Sequence, residues 1–98
     1  LLGAARAAAI PIVFTKVPEC VVGPGDAVHL PGEAVSTQID YEAELAIVIG
    51  RGGRNIGRAE ALGHVFGWTI VNDVTARDVQ MRHQQWDLGK SFDTFCPM

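Results

Sequence analysis

The chain has 98 residues, 48% hydrophobic and 19% charged, with a formal net charge of −3. That composition suits one small globular domain, and the lack of a basic block or a basic-aromatic stripe excludes a nucleic-acid surface. The longest apolar stretch, residues 7–14, is broken by Pro11 and falls far short of the ~20 residues a membrane span needs.

Residues 1–9 are alanine-rich and predict a helix, or the end of one, stopped by Pro11. A β-branched and aromatic run at 12–15 predicts a short strand. Gly23-Pro24-Gly25-Asp26 is a strong turn signal. A short strand is then expected over 27–30, closed by Pro31-Gly32. Residues 39–49 form the strongest predicted strand, followed by the loop Gly50-Arg51-Gly52-Gly53-Arg54-Asn55. A short helix is expected over 58–64 and a strand over 68–72. Thr75-Ala76-Arg77-Asp78 fits a capping pattern, with Thr75 as N-cap of a helix reaching about His83. Residues 84–95 read as polar, aromatic and irregular, and the whole predicts an α+β fold dominated by strands.

Cys20 and Cys96 match no CxxC spacing, and two free thiols in an acidic chain fit a reducing cytoplasm. The start, Leu1-Leu2-Gly3-Ala4, has neither an initiator methionine nor the features of a signal peptide. The chain stops abruptly at Phe95-Cys96-Pro97-Met98. Both ends read as cuts in a longer polypeptide, so residues 1–98 are expected to be a fragment of a single domain.

The chemistry concentrates in three places. Glu42 and Glu44 lie two residues apart in the apolar run Asp40-Tyr41-Glu42-Ala43-Glu44-Leu45-Ala46-Ile47-Val48-Ile49, where strand alternation turns both the same way. Like charges side by side are unfavourable, and a hard divalent cation such as Mg2+ would reverse that penalty. Asp73 follows an apolar strand just ahead of the predicted helix and supplies a third carboxylate. Arg77 and Gln80, three residues apart, share a helical face and can grip and orient a carboxylate. Lys90, in Gly89-Lys90-Ser91-Phe92, could neutralise an anion held by the cation. From spacing alone, a solvated strand face is a commoner explanation of the glutamates than a metal, and Asp73 could simply be a turn or capping acid. The histidines share no ligand spacing, and Trp68 and Trp86 read as packing residues.

Phe14-Thr15-Lys16, Gly23-Pro24-Gly25-Asp26, Asp40-Tyr41-Glu42-Ala43-Glu44-Leu45, Asn72-Asp73-Val74-Thr75-Ala76-Arg77-Asp78-Val79-Gln80 and Gly89-Lys90-Ser91-Phe92-Asp93-Thr94 occur in an order and spacing that closely resemble the fumarylacetoacetate hydrolase family. The resemblance implies a mixed β-roll, here incomplete, usually assembled as a homodimer. It also implies Mg2+ (Mn2+ or Ca2+ in some members) and a small 2-oxo or diketo acid substrate. By similarity, Glu42, Glu44 and Asp73 match the metal ligands. Lys90 and Arg77 match catalytic positions, and Gln80, Arg77 and Lys16 match the substrate site. Metal-assisted C–C bond cleavage of an acylpyruvate-like acid is the leading expectation, with isomerase or decarboxylase chemistry, or a non-catalytic binding or assembly fragment, as alternatives. The family's water-activating histidine and glutamate would lie upstream of the Phe-x-Lys segment. Residues 1–9 contain neither, which makes hydrolysis less secure than metal binding.

Overall fold

The structure, a computed structural model, describes residues 10–98. The helix expected over 1–9 lies outside them. The described elements are strands β1 (Val21–Val22), β2 (Ile39–Asp40), β3 (Ala43–Ile49), β4 (Val65–Asn72), β5 (Thr75–Ala76) and β6 (Cys96–Pro97), with helices α1 (Arg77–Arg82) and α2 (Asp87–Lys90). Short 3-10 turns occupy Pro18–Cys20 and Ala61–His64. The strands pair in three two-stranded ladders: β1 with β6 in parallel, and β2 with β5 and β3 with β4 antiparallel.

The β3–β4 ladder is built from β-branched and aromatic residues suited to a pleated surface. Its register runs from Ala43 opposite Asn72 to Val48 opposite Gly67, then slips so that Ile49 meets Val65 and leaves Phe66 bulged. Gly50 permits this: a Cβ there would stand 2.8 Å from Cβ of Phe66. Leu45, Ile47, Trp68 and Ile70 are exposed on the ladder, so Trp68 is not the packing residue expected. The core lies elsewhere, where Val74, Ala76, Val79 and Phe95 pack with Val28, Ile39 and Phe92.

Several sequence expectations need correction. The single strand expected over 39–49 is interrupted at Tyr41 and Glu42, although 39–40 and 43–48 pair in one continuous register with 75–76 and 67–72. Residues 12–15 and 27–30 form no strand, since among the described residues neither run has a ladder partner. The helix over 58–64 shrinks to turns and the 3-10 turn at Ala61–His64. Strand β4 starts earlier than expected, at Val65. Within the supposedly irregular 84–95 stretch, α2 forms one helical turn. Thr75 is not an N-cap: it sits in β5, and its hydroxyl donates to the Asp73 carbonyl instead. The turn at Gly23–Asp26 is as expected, with Gly25 at φ 85° and the Asp26 carboxylate accepting from the Gly23 N–H. Among the described residues, no helix is long and apolar enough to cross a membrane.

Candidate active site

The site forms where the β3–β4 and β2–β5 ladders meet. Beyond the Ala43–Asn72 pair, the Asp73 N–H donates to the Glu42 carbonyl at 2.9 Å, and the Glu42 N–H donates to Oδ1 of Asn72 at 3.1 Å. Two residues further on, Asp40 pairs with Thr75 in the second ladder. The antiparallel register therefore runs on unbroken through 41–42 and 73–74, which sets Glu42 opposite Asp73. Oxygens of Glu42, Glu44 and Asp73 lie within 4.8 Å of one another. Glu42 thus reaches the cluster from an irregular position rather than from a strand, and the two glutamates do converge.

Three cations surround the carboxylates. Lys90 is 1% exposed along its side chain and donates to Glu42 Oε1 at 2.9 Å and to Asp73 Oδ2 at 2.7 Å. Lys16 Nζ lies 2.7 Å from Asp73 Oδ1, and it also donates to the carbonyls of Val74, at 3.1 Å, and Lys90. Its ammonium thus lies directly against this buried carboxylate oxygen. Arg77 places Nη1 at 2.5 Å from Glu42 Oε1 and Nε at 3.2 Å from Asp40 Oδ2. Gln80 is buried and accepts from Arg77 Nη1 at 3.2 Å, reaching the site through the arginine. All seven residues expected at the site are therefore gathered here, from positions up to 74 apart in the chain.

The electrostatics follow from this packing. Burial pushes the Asp73 carboxyl up, but hydrogen bonds and charge from Lys16 and Lys90 outweigh it and hold it below its ordinary value. Burial works against the Arg77 charge, yet hydrogen bonds to Asp40 and Glu42 raise its affinity for the proton. Glu44 goes the other way: desolvation, then the neighbouring charges of Asp73 and Glu42, push it up. Three clustered carboxylate oxygens, one of them on a group raised by burial and its anionic neighbours, are a donor set that a hard divalent cation could use. The donor set fits: three carboxylates could hold one ion and leave positions for water and a ligand.

Sequence reasoning passed over four contributors. Asp40 holds the Nε edge of Arg77. The Thr75 hydroxyl lies 3.4 Å from Glu42 Oε1. Asp78 accepts from the Ser36 hydroxyl and the Thr37 N–H, fastening the 36–37 loop to the start of α1. Gly89 lets α2 lie against α1, since a Cβ there would stand 2.6 Å from the Gln80 nitrogen. Asp40 carried a visible signal in its place beside the glutamate pair, whereas Thr75 and Asp78 read only as a capping pattern. No histidine among the described residues hydrogen-bonds or ion-pairs with the carboxylates, and His64 is occupied by Arg51.

Three convergent carboxylates ringed by cations on a mixed helix and strand scaffold form a cluster that could hold a metal ion. The family described as fumarylacetoacetate (FAA) hydrolase, C-terminal, matches residues 3–98, and the chain belongs to that family. It is 58% identical over 88 residues to the oxaloacetate tautomerase YisK of Bacillus subtilis (strain 168), covering 90% of this chain and 29% of that protein. It is 51% identical over 90 residues to the mitochondrial oxaloacetate tautomerase FAHD2A of Homo sapiens, covering 90% of this chain and 28% of that one. Among solved structures, a 2-hydroxyhepta-2,4-diene-1,7-dioate isomerase from Mycobacterium marinum superposes with a TM-score of 0.85 at 43% identity, over 92% of this chain and 35% of its own. A fumarylacetoacetate hydrolase from psychrophilic Exiguobacterium antarcticum gives 0.83 at 50% identity, over 89% and 31%. The chain spans less than a third of the two tautomerases.

Proposed function

We propose that the protein to which this chain belongs interconverts the enol and keto forms of a small 2-oxo diacid of the oxaloacetate type, with a divalent cation, Mg2+ first, held by Glu42, Glu44 and Asp73. The observation that carries this is the convergence of those carboxylates beneath Lys16, Lys90 and Arg77, in a chain closely similar to proteins named for that tautomerisation. C–C bond cleavage, the leading expectation from sequence, becomes the second reading, favoured by the likeness to the Exiguobacterium hydrolase. The residues described here belong, on this proposal, to one part of a mixed β-roll that assembles as a homodimer. A cytoplasmic setting suits the two free cysteines.

Tautomerisation moves one proton between C3 and the oxygen on C2, and negative charge spreads over O–C2–C3 on the way. It needs no activated water, so it asks less of the site than hydrolysis does. When bound, the cation supplies Lewis-acid polarisation of the carboxylate and 2-oxo oxygens. Lys90 supports the arrangement from its buried side, its charge committed to two carboxylates. The Lys16 side chain is more open, at 14% exposed, and is the lysine that can donate to the developing oxyanion. Arg77, half-buried and held along its Nε edge, can turn its Nη groups to the far carboxylate of a diacid.

The test is to give the full-length protein oxaloacetate and an acylpyruvate in parallel, with Mg2+ and with a chelator. Expected is loss of the enol's ultraviolet absorbance above the spontaneous rate, dependent on Mg2+, with no pyruvate released. Pyruvate from the acylpyruvate would establish cleavage instead, pyruvate from oxaloacetate would establish decarboxylation, and chelator-insensitive turnover would remove the metal from the reading.

A further inference from the structure

The segment carrying Lys16 is extended but lies in no ladder, so its backbone groups must be satisfied in another way. The N–H groups on either side of Lys16 are bonded by side chains at the two ends of α2. Thr15 N–H donates to Asp87 Oδ1 at 3.0 Å, and Val17 N–H donates to Ser91 Oγ at 3.2 Å. The Ser91 hydroxyl lies 3.5 Å from the Thr15 carbonyl, so one side chain meets both flanks of Lys16. In an extended chain alternate side chains share a face, which turns Phe14 and Lys16 inward together. Phe14 packs on Trp86 with ring centres 5.4 Å apart, and Lys90 Nζ stands 4.8 Å from its ring centre. One helical turn therefore supplies Lys90 directly and holds the strand-like segment that supplies Lys16.

We propose that Asp87 and Ser91 are positioning residues. They replace the missing partner strand and fix the backbone at Thr15 and Val17, so that the Lys16 ammonium sits on Asp73 and faces the substrate. This rests on the reading of Lys16 as part of the site given above. A residue aimed by two short side chains keeps its geometry only while both acceptors stay in place. Asp87→Ala and Ser91→Ala each remove one acceptor, whereas Asp87→Asn and Ser91→Thr each keep an oxygen where it is needed.

The experiment uses the full-length protein and two independent readouts. The first is the rate at which an amine-acylating reagent modifies Lys16 and Lys90 in the absence of substrate, followed by mass spectrometry. Asp87→Ala/Ser91→Ala should speed labelling of Lys16 several-fold and leave Lys90 protected, with Asp87→Asn and Ser91→Thr restoring the slow rate. Equal labelling of both lysines would show general loosening and overturn the proposal, as would unchanged labelling of Lys16. The second readout is enol–keto turnover. Each alanine variant should lower kcat/KM by about 3- to 10-fold, and neither should lower it further when Lys16 is already methionine. A full additional loss in the Lys16→Met background would overturn the proposal. If Lys16→Met itself leaves turnover unchanged while the labelling result holds, the positioning stands and the catalytic reading of Lys16 is what fails.

Discussion

Gly89→Ala tests whether the close approach of α2 to α1 sets the geometry of the site. A Cβ at this position would lie 2.6 Å from the Gln80 nitrogen and 2.8 Å from its Cα and Cβ, against 3.4–4 Å for ordinary contact. The obstruction is backbone, which cannot swing aside, so the two helices must part by about 1 Å. Overpacking of this kind costs roughly 1–3 kcal/mol, and the better helix propensity of alanine returns at most ~1 kcal/mol. A net loss of about 1–2 kcal/mol is expected, read as a lower urea midpoint in the full-length protein. The functional effect should be larger. Lys90 follows Gly89, and its contacts of 2.7 and 2.9 Å to Asp73 and Glu42 would open by about 1 Å, beyond hydrogen-bond reach. Misplacement on that scale can cost on the order of 100-fold in turnover. Gly63→Ala is the control, since a Cβ there meets nothing within 4 Å. If Gly89→Ala matched that control in both midpoint and turnover, the helix contact would not be what positions Lys90.

Two further predictions concern the carboxylates. Glu44→Gln removes a charge that desolvation, Asp73 and Glu42 all disfavour, so in chelator the variant should unfold at a higher urea midpoint than the parent. The same change removes an anionic ligand, so calorimetric titration should show markedly weaker Mg2+ binding; equal affinity would refute the triad as a metal site. Asp73 has a folded-state value below its ordinary 3.8. Its contribution to stability is therefore complete above that pH and is lost as acid carries the protein down through the depressed value. An acid-unfolding series should show this limb below about pH 4 in the parent and a flatter one in Asp73→Asn. Coincident limbs would mean that Lys16 and Lys90 do not stabilise the ionised form.

The sequence by itself determined the residue types and their local habits. The β-branched and aromatic runs in β3 and β4 predicted strands because period and propensity are local, and Gly23-Pro24-Gly25-Asp26 predicted its turn for the same reason. Motif order pointed to the family and to seven candidate residues that the fold draws together, since side-chain chemistry is written residue by residue. Only the tertiary structure decided that Asp73 lies opposite Glu42, because strand register depends on which distant residues pair. The 12–15 run has strand composition and no strand partner among the described residues, and the Thr15 backbone bonds instead to Asp87 and Ser91, more than 70 residues away. Thr75 had a capping signature, yet β5 pairing with Ile39 and Asp40 claimed it for a strand. Gly89 gave no local sign at all: its necessity comes from the backbone of Gln80 crossing beside it. Contacts between distant segments set these outcomes, and local propensities of a few tenths of a kcal/mol per residue are too weak to resist them.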